Sequence, residues 1–178
     1  MHNLAATYEN QSRWKEAAAL QVRVMETSLR VLGEEHPSTL TSMGNLASTY
    51  MNQGRWNKAE ELEVRAMETR KRVPGEEHPH TLTSMGKLAS IYGNQGRWNE
   101  AEELEVRVLE MSLKVLGEEH PDTLTIMANL AITWKKQGRA RDALALMRSC
   151  VLLRPPPHAN PAKMLLSHVV SDGNPSPS

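Results

Sequence analysis

Apolar side chains recur along this chain at steps of three and four residues, and short polar segments interrupt them at regular distances. In one stretch the apolar positions are Leu40, Met43, Leu46, Ala47 and Tyr50. A second set follows downstream at Ala59, Leu62, Ala66 and Val73. This period places each set on one face of an α-helix, whereas a half-buried strand would alternate apolar and polar residues. The pattern therefore predicts two successive amphipathic helices.

A tight turn separates the two predicted helices. Gly54 lies between the two apolar sets, and glycine suits the left-handed backbone that closes a helix. Pro37 suits the first turn of a helix, because the N–H that proline lacks would have no partner there. We therefore expect helix A over about 37–52 and helix B over about 55–72. A polar joint at 75–78 leads to the next unit.

This helix pair belongs to a unit of 42 residues that recurs along the chain. The segment Gly-Glu-Glu-His-Pro marks its register at 33–37, 75–79 and 117–121, and 30 of 42 positions in 33–74 are identical in 75–116. A fixed period of this length indicates an array of supersecondary units whose core is buried between neighbours. The prediction is an all-α array over 1–153. Its units are expected at about 1–32, 33–74, 75–116 and 117–153.

Composition and charge exclude several classes of protein. The 178 residues are 39% hydrophobic and 24% charged, which is too apolar for a disordered chain. No run of 18 apolar residues is present to span a membrane. Lys plus Arg (21) balance Asp plus Glu (21), so net charge gives no attraction to nucleic acid. The single cysteine, Cys150, fits a reducing compartment. Without a secretory signal at its N-terminus, the chain is expected to be cytoplasmic.

The aromatic side chains follow the repeat. The chain has four Trp, three Tyr and no Phe, and all of them fall on two columns of the 42-residue register. One column holds Tyr8, Tyr50, Tyr92 and Trp134, and the other holds Trp14, Trp56 and Trp98, with Ala140 in fourth place. An aromatic ligand cage would concentrate these rings at one site. Their even spread predicts that they are packing residues.

Candidate catalytic and metal-binding groups are few. Each of His36, His78 and His120 follows two glutamates, but two such ligands per joint leave a zinc site incomplete. We interpret each joint as a polar start for helix A. Cys150 lies in the column of Ala66 and Val108, which favours a small buried side chain over a nucleophile. No acid–base pair or cofactor loop stands out, so we expect no enzyme, no cofactor and no metal.

Charged side chains on helix B suggest local ion pairs. Glu61 with Arg65, and Glu103 with Arg107, are four residues apart in the favourable orientation. We expect these pairs to stabilise a solvated helix face by tenths of a kcal/mol each.

Several spaced residues give the pattern a family resemblance. Leu46-Ala47, Tyr50, Gly54, Ala59 and Ala66 resemble the tetratricopeptide repeat signature, and the later units repeat it. The usual repeat has about 34 residues, and eight more add roughly 12 Å of helix. This long form, with its Gly-Glu-Glu-His-Pro joint, resembles the repeats of kinesin light chains. It is closer still to the repeat arrays of fungal nucleotide-binding, receptor-like proteins. The resemblance covers about 1–153 and implies a right-handed α-solenoid of helix-turn-helix repeats.

Both ends of the chain depart from this family pattern. The heptad coiled coil that precedes kinesin light chain repeats and the phosphate loop of receptor-like proteins are both absent. Residues 3–8 align with 45–50, so the first unit opens inside helix A, and we expect a fragment of a longer array. At the other end we predict a Pro-rich joint and short capping helix over 154–170, then a disordered tail over 171–178.

The resemblance also implies where a partner binds. In this family the A-helices line a concave groove that holds peptides. Carried over position by position, the groove candidates are Thr41, Asn45, Ser48, Asn52, Thr83, Lys87, Ser90, Asn94, Asn129, Ile132 and Lys136. Asparagine can pair with a peptide backbone through its donor and its acceptor. Lys87 and Lys136 would favour acidic residues or a free carboxylate.

Two other interpretations of these residues remain. The groove candidates are simply exposed polar side chains on soluble helices, or the array is a structural module of a larger receptor-like protein. In the second case it associates with itself through its truncated first unit. A protein or peptide partner is the main hypothesis, with neither nucleic acid nor membrane as a partner.

Overall fold

The computed structural model describes residues 2–153, and within this range the chain forms eight α-helices and no strand. The helices are α1 (His2–Asn10), α2 (Trp14–Leu32), α3 (Pro37–Asn52), α4 (Trp56–Arg72), α5 (Pro79–Asn94), α6 (Trp98–Val115), α7 (Pro121–Lys136) and α8 (Ala140–Leu153). Odd-numbered helices are the A-helices and even-numbered helices are the B-helices. The all-α solenoid of helix pairs is confirmed. The joint and cap predicted at 154–170 and the tail predicted at 171–178 lie outside the described residues.

The histidine of each joint caps the A-helix that follows it. His36 Nδ1 accepts a hydrogen bond of 3.1 Å from the N–H of Ser38, at the start of α3. His78 and His120 accept equivalent bonds of 3.2 Å at the starts of α5 and α7. Because a side chain that accepts from the first turn satisfies an otherwise unpaired N–H, the histidines have a structural role. The predicted start of helix A is confirmed.

The turn inside each unit has the backbone that the sequence predicts. Gly54 has φ +70°, a left-handed conformation that costs a residue with a side chain roughly 1 kcal/mol or more. The N–H of Arg55 then donates to the carbonyl of Tyr50 at 2.8 Å, which satisfies one of the last carbonyls of α3. Helix α4 begins at Trp56, one residue later than predicted.

The hydrophobic core lies between successive helices. One cluster joins Met67 of α4, Met85 and Leu88 of α5, and Val108 of α6. It therefore crosses the boundary between two repeat units, as a stacked array requires. Cys150 is also buried, as predicted, with its Sγ 3.4 Å from the carbonyl oxygen of Leu124.

Most of the predicted apolar faces are buried, with one exception. Leu40, Met43, Leu46 and Ala47 are each less than 5% exposed. Val73, which the periodicity placed on the apolar face of helix B, is 54% exposed. This expectation was wrong because α4 ends at Arg72, so Val73 follows the helix instead of lying on its buried face.

The ion pairs of the B-helices differ from those expected. Arg65 pairs with Glu34 at 2.5 Å, where the sequence suggested Glu61. Arg107 pairs with Glu76 at 2.6 Å, where the sequence suggested Glu103. In each case the glutamate of the Gly-Glu-Glu-His joint lies beside the B-helix of its own unit. The ion pairs therefore join two segments of a unit instead of two turns of one helix.

Two rings of the first aromatic column, Tyr50 and Tyr92, are packing residues, as predicted. Tyr92 packs against the core cluster of α4, α5 and α6, and Tyr50 packs against the preceding one. Each ring of this column also carries a guanidinium over its face, contributed by the arginine five residues later.

Within residues 2–153 no helix is both long and apolar enough to cross a membrane.

Candidate functional site

The predicted groove residues lie on the A-helices α3, α5 and α7. Their side chains form one polar surface, which we call the A-helix face, and they range from half-buried to exposed. It comprises Thr41, Asn45, Ser48 and Asn52 on α3, Thr83, Lys87, Ser90 and Asn94 on α5, and Asn129, Ile132 and Lys136 on α7. All of these residues are therefore accessible to a partner to some degree.

Two adjacent cavities open between α5 and α7. The larger has a volume of about 680 Å³ and the smaller about 290 Å³. Candidates that line the larger are Ser90, Asn94, Asn129, Ile132 and Lys136, and those that line the smaller are Thr83, Lys87, Ser90 and Asn129. The structure thus brings together the seven candidates of the third and fourth units. The four candidates on α3 line neither cavity.

Some of the hydroxyl groups on the A-helix face already donate within their own helix. Thr83 and Ser90 donate to the carbonyls of Pro79 and Gly86 at 2.9 and 3.0 Å. Their oxygens can still accept a hydrogen bond, but their protons are engaged. By contrast, within the described part of the chain the side-chain amides of Asn45 and Asn129 make no hydrogen bond. These two amides can therefore both donate and accept toward a partner.

A buried carboxylate that the sequence analysis missed lies in the wall of the larger cavity. Glu105 of α6 is only 7% exposed, and it lines the cavity with Gly93, Trp98 and Thr133. Burial raises the pKa of Glu105 to about 7; a hydrogen bond with Thr133 acts in the opposite direction, and the charge of Glu102 adds to the rise. The sequence could have indicated this burial, because Glu105 follows Ala101 by four residues and therefore lies on the apolar face of helix B.

The equivalent residue one unit earlier has charged neighbours. Glu63 of α4 is fully buried, and its Oε1 lies 3.8 Å from Nη1 of Arg70. The Lys87 ammonium reaches across from α5 and donates to the carbonyl of Gly44 at 3.3 Å. Both Lys87 Nζ and Glu63 Oε2 lie within 4 Å of the place that a Cβ on Gly44 would take. Two cationic side chains therefore approach this carboxylate.

Next to the larger cavity, a third carboxylate is held by three donors. Burial alone would raise the pKa of Glu102, but hydrogen bonds from Gln137, Trp134 and Arg139 hold it below its usual value. The bond from Arg139 Nη1 measures 2.6 Å and joins α6 to the start of α8. Glu102 is therefore an ionised structural group with its partners already in place.

The sequence matches a known repeat family. The family model for the tetratricopeptide repeat matches residues 1–68, 43–114 and 87–151, which together span nearly all of the described chain. A comparison with curated proteins finds no match.

Solved structures show the same architecture. A putative kinesin light chain from Podospora anserina, with nearly identical tetratricopeptide-like repeats, is 32% identical with a TM-score of 0.78; the match covers 85% of this chain and 72% of that one. BtubC (BKLC) from P. vanneervenii is 21% identical with a TM-score of 0.77, over 98% of this chain and 65% of that one. The apo form of RapI is 16% identical with a TM-score of 0.73, and the match covers 85% of this chain and 53% of that one. The last two likenesses show the fold alone.

Proposed function

Since the chain belongs to the tetratricopeptide repeat family, with repeats of the kinesin light chain type, we propose that it is a protein-binding scaffold whose A-helix face holds a peptide segment of its partner. Repeats of this family generally mediate contacts between proteins. The observation that carries the proposal is the pair of adjacent cavities between α5 and α7, about 680 and 290 Å³ in volume. Both cavities open on the face where the candidates lie.

The chemistry of this face suits the backbone of an extended peptide. The unpaired amides of Asn45 and Asn129 occupy equivalent positions two units apart, on α3 and α7. An amide that donates and accepts can replace the hydrogen bonds that a peptide group loses on leaving water. Lys136 at the exposed end of α7 adds a positive charge beside the larger cavity. The array is proposed to bind its partner and to carry out no reaction on it.

Substitution of the two amides tests this proposal. The probe is a pool of random-sequence dodecapeptides, and the measured quantity is the amount of peptide captured by the immobilised array. Asn45→Ala combined with Asn129→Ala should abolish capture while thermal unfolding stays near that of the parent, because both residues are outside the buried core. Glu61→Ala, on the exposed surface of α4, is the matched control and should capture normally. Undiminished capture by the double variant would refute the groove assignment.

A second candidate function is supported by the last helix. On α8, Leu144, Val151 and Leu152 are 62%, 68% and 84% exposed. Leu144 also lines an almost wholly apolar cavity of about 390 Å³, together with Met147. Exposed apolar patches mark surfaces that pack against another protein. We propose that a second copy of the chain covers this end of the array, in a structural role.

Solution size tests this second candidate. Sedimentation over a hundredfold range of concentration should show a dimer that dissociates on dilution. Leu144→Glu together with Val151→Glu should give a monomer at every concentration, since two buried charges would oppose the contact. A monomeric parent would exclude self-association through α8.

The single buried cysteine is compatible with a reducing compartment such as the cytoplasm, which we propose as the location.

A further inference from the structure

One column of the repeat places a polar side chain inside the array at each junction between units. Gln21, Glu63 and Glu105 are spaced by one period on successive B-helices. They are 6%, 0% and 7% exposed, so all three lie in the packed interior. A buried carboxylate requires a partner of opposite charge, whereas a buried amide requires only hydrogen bonds.

At the first junction the buried residue is neutral and fully paired. Gln21 donates to Glu9 at 2.9 Å and lies 2.6 Å from the hydroxyl of Thr49. The neighbouring columns of the repeat hold Ser28 and Asn45 here, which are also uncharged. No cation is needed at this junction.

At the second junction the buried residue is charged, and so are its neighbours. Glu63 occupies the same column of the repeat as Gln21. Arg70 occupies the column of Ser28, and Lys87 occupies the column of Asn45. Arg70 Nη1 lies 3.8 Å from Glu63, and the ammonium of Lys87 lies over Gly44 beside the carboxylate. The chain thus places two cations near Glu63, while within residues 2–153 neither oxygen of Glu63 accepts a hydrogen bond.

At the third junction the carboxylate is present but both cations are missing. Glu105 occupies the column of Glu63. Ser112 occupies the column of Arg70, and Asn129 occupies the column of Lys87. Gly86 is the counterpart of Gly44, and no atom lies within 4 Å of the place that its Cβ would take. The position that the Lys87 ammonium fills at the second junction is therefore empty here.

Glu105 lines this space, and in the part of the chain that the structure describes one of its oxygens is buried without a partner. Within residues 2–153, Oε2 of Glu105 has no hydrogen-bond partner. The larger cavity, which Glu105 lines, and the smaller one, which Gly86 lines, share Ser90 and Asn129 and so adjoin each other. Gly93 widens the larger cavity, because the preceding unit has Met51 at that position. A side chain that enters the larger cavity from the A-helix face therefore approaches Glu105 in its wall.

We propose that this space is a cation subsite, which takes the ammonium or guanidinium group of a Lys or Arg side chain on the bound peptide, with Glu105 as its counter-ion. The inference rests on the proposed peptide-binding function and adds the chemistry that the peptide must present. It adds a negative group to the half of the groove for which the sequence analysis considered Lys87 and Lys136. Among the charged groups near the subsite, Lys136 of α7 lines the larger cavity and Glu102 of α6 lies near Glu105. Lys87 of α5 and Asp122 of α7 line the smaller cavity.

The energetic reason is the cost of an isolated buried charge. Burial raises the pKa of Glu105 to about 7, so near neutral pH this carboxylate is divided between its neutral and its ionised form. A bound cation would favour the ionised form. At the third junction the ligand therefore supplies the positive charge that Lys87 and Arg70 supply at the second.

Two matched peptide pools test the subsite. Both are random dodecapeptides with one fixed central residue, which is lysine in the first pool and norleucine in the second. Capture is measured at pH 8, where Glu105 is ionised. The lysine pool should bind at least about tenfold more strongly, since charge pairs in buried sites discriminate by that much or more.

Two variants assign the effect to this site. Glu105→Gln keeps the size of the side chain, matches the residue already present at the first junction, and should abolish the preference for lysine. Glu103→Gln, exposed on the same helix, should keep the preference. Thermal unfolding of each variant shows that it is folded.

The outcomes separate this inference from the function on which it rests. Selective capture of the lysine pool, kept in Glu103→Gln and lost in Glu105→Gln, supports the subsite. Equal capture of both pools overturns the cation subsite and leaves the peptide groove standing. Capture of neither pool overturns the subsite and the peptide groove together.

Discussion

The guanidinium carbon of Arg97 lies 4.0 Å from the centroid of the Tyr92 ring. The same guanidinium donates from Nη1 to Glu60 of the preceding unit at 2.8 Å, and a second bond joins it to Glu100. These two carboxylates raise the pKa of Arg97 and keep its charge fixed. One arginine therefore stacks on the aromatic column of its own unit and ties that unit to the one before. The aromatic columns hold the array together partly through these arginines.

Removal of one aromatic ring should destabilise the whole array. Tyr92→Ala is expected to lower the free energy of unfolding by roughly 3 kcal/mol, because the ring packs on a core cluster and supports Arg97. Urea denaturation followed by circular dichroism measures the change. Tyr92→Phe keeps the ring and is the control, with an expected midpoint near that of the parent. If Tyr92→Ala also kept that midpoint, the column would have no packing role.

The histidine caps give a second prediction. His78→Ala removes the side chain that accepts from the N–H of His80, and should cost about 1 kcal/mol of stability. Asn is among the best residues at this position, so His78→Asn should restore most of the loss. The free energy of unfolding of the three proteins in urea decides the matter. An alanine variant as stable as the parent would show that this hydrogen bond contributes nothing.

The first junction between units depends on one hydroxyl group. Thr49 Oγ1 lies 2.6 Å from Oε1 of Glu9 and 2.6 Å from Oε1 of Gln21. Thr49→Val keeps the shape but leaves these acceptors without that donor, and should cost about 1–3 kcal/mol. Thr41→Val is the control, because the Thr41 hydroxyl is exposed and bonds only within its own helix. Equal unfolding midpoints for the two variants would contradict the prediction.

Residues that act within one unit were predictable from the sequence. The apolar period determined the faces of the helices, and Pro37 and Gly54 determined the ends of α3, because each acts through the backbone next to it. The periodicity was followed one step too far at Val73, which lies beyond the end of α4. Local reasoning also chose Glu61 for Arg65, since it lies four residues away on the same helix. The actual partner, Glu34, becomes a neighbour only after the unit folds.

The larger cavity was not predictable in the same way. The two adjoining cavities coincide with three substitutions relative to the preceding unit. Gly93 for Met51 and Asn129 for Lys87 line the larger cavity, and Ser112 for Arg70 lines the smaller one. They lie on three different helices, α5, α6 and α7, and only packing brings them to one place. The A-helix candidates came instead from the family resemblance, which carries them over position by position.

The buried carboxylate at that cavity predicts how stability changes with pH. Glu105 has an ordinary pKa of 4.5 when exposed and about 7 in the folded chain. Below pH 4.5 it is protonated in both states, so its burial costs little. Between about pH 4.5 and 7 the unfolded chain loses this proton first, so the folded state binds more protons and stability falls as pH rises. At about 1.4 kcal/mol per pH unit, the loss attributable to this group is on the order of 3 kcal/mol.

Glu105→Gln isolates this contribution. A neutral amide cannot titrate, so the variant should match the parent near pH 4.5 and become progressively more stable than the parent toward pH 7, with a constant difference above about pH 8. Urea unfolding of both proteins is measured at half-unit pH intervals. The difference between their free energies of unfolding is then plotted against pH, so that the contributions of the other titrating groups cancel. Glu103→Gln, whose carboxylate is exposed, should give a flat curve. A flat curve for Glu105→Gln would mean that a cation of the chain itself already neutralises Glu105, and Lys136, which lies at the rim of the same cavity, is the side chain placed to do so.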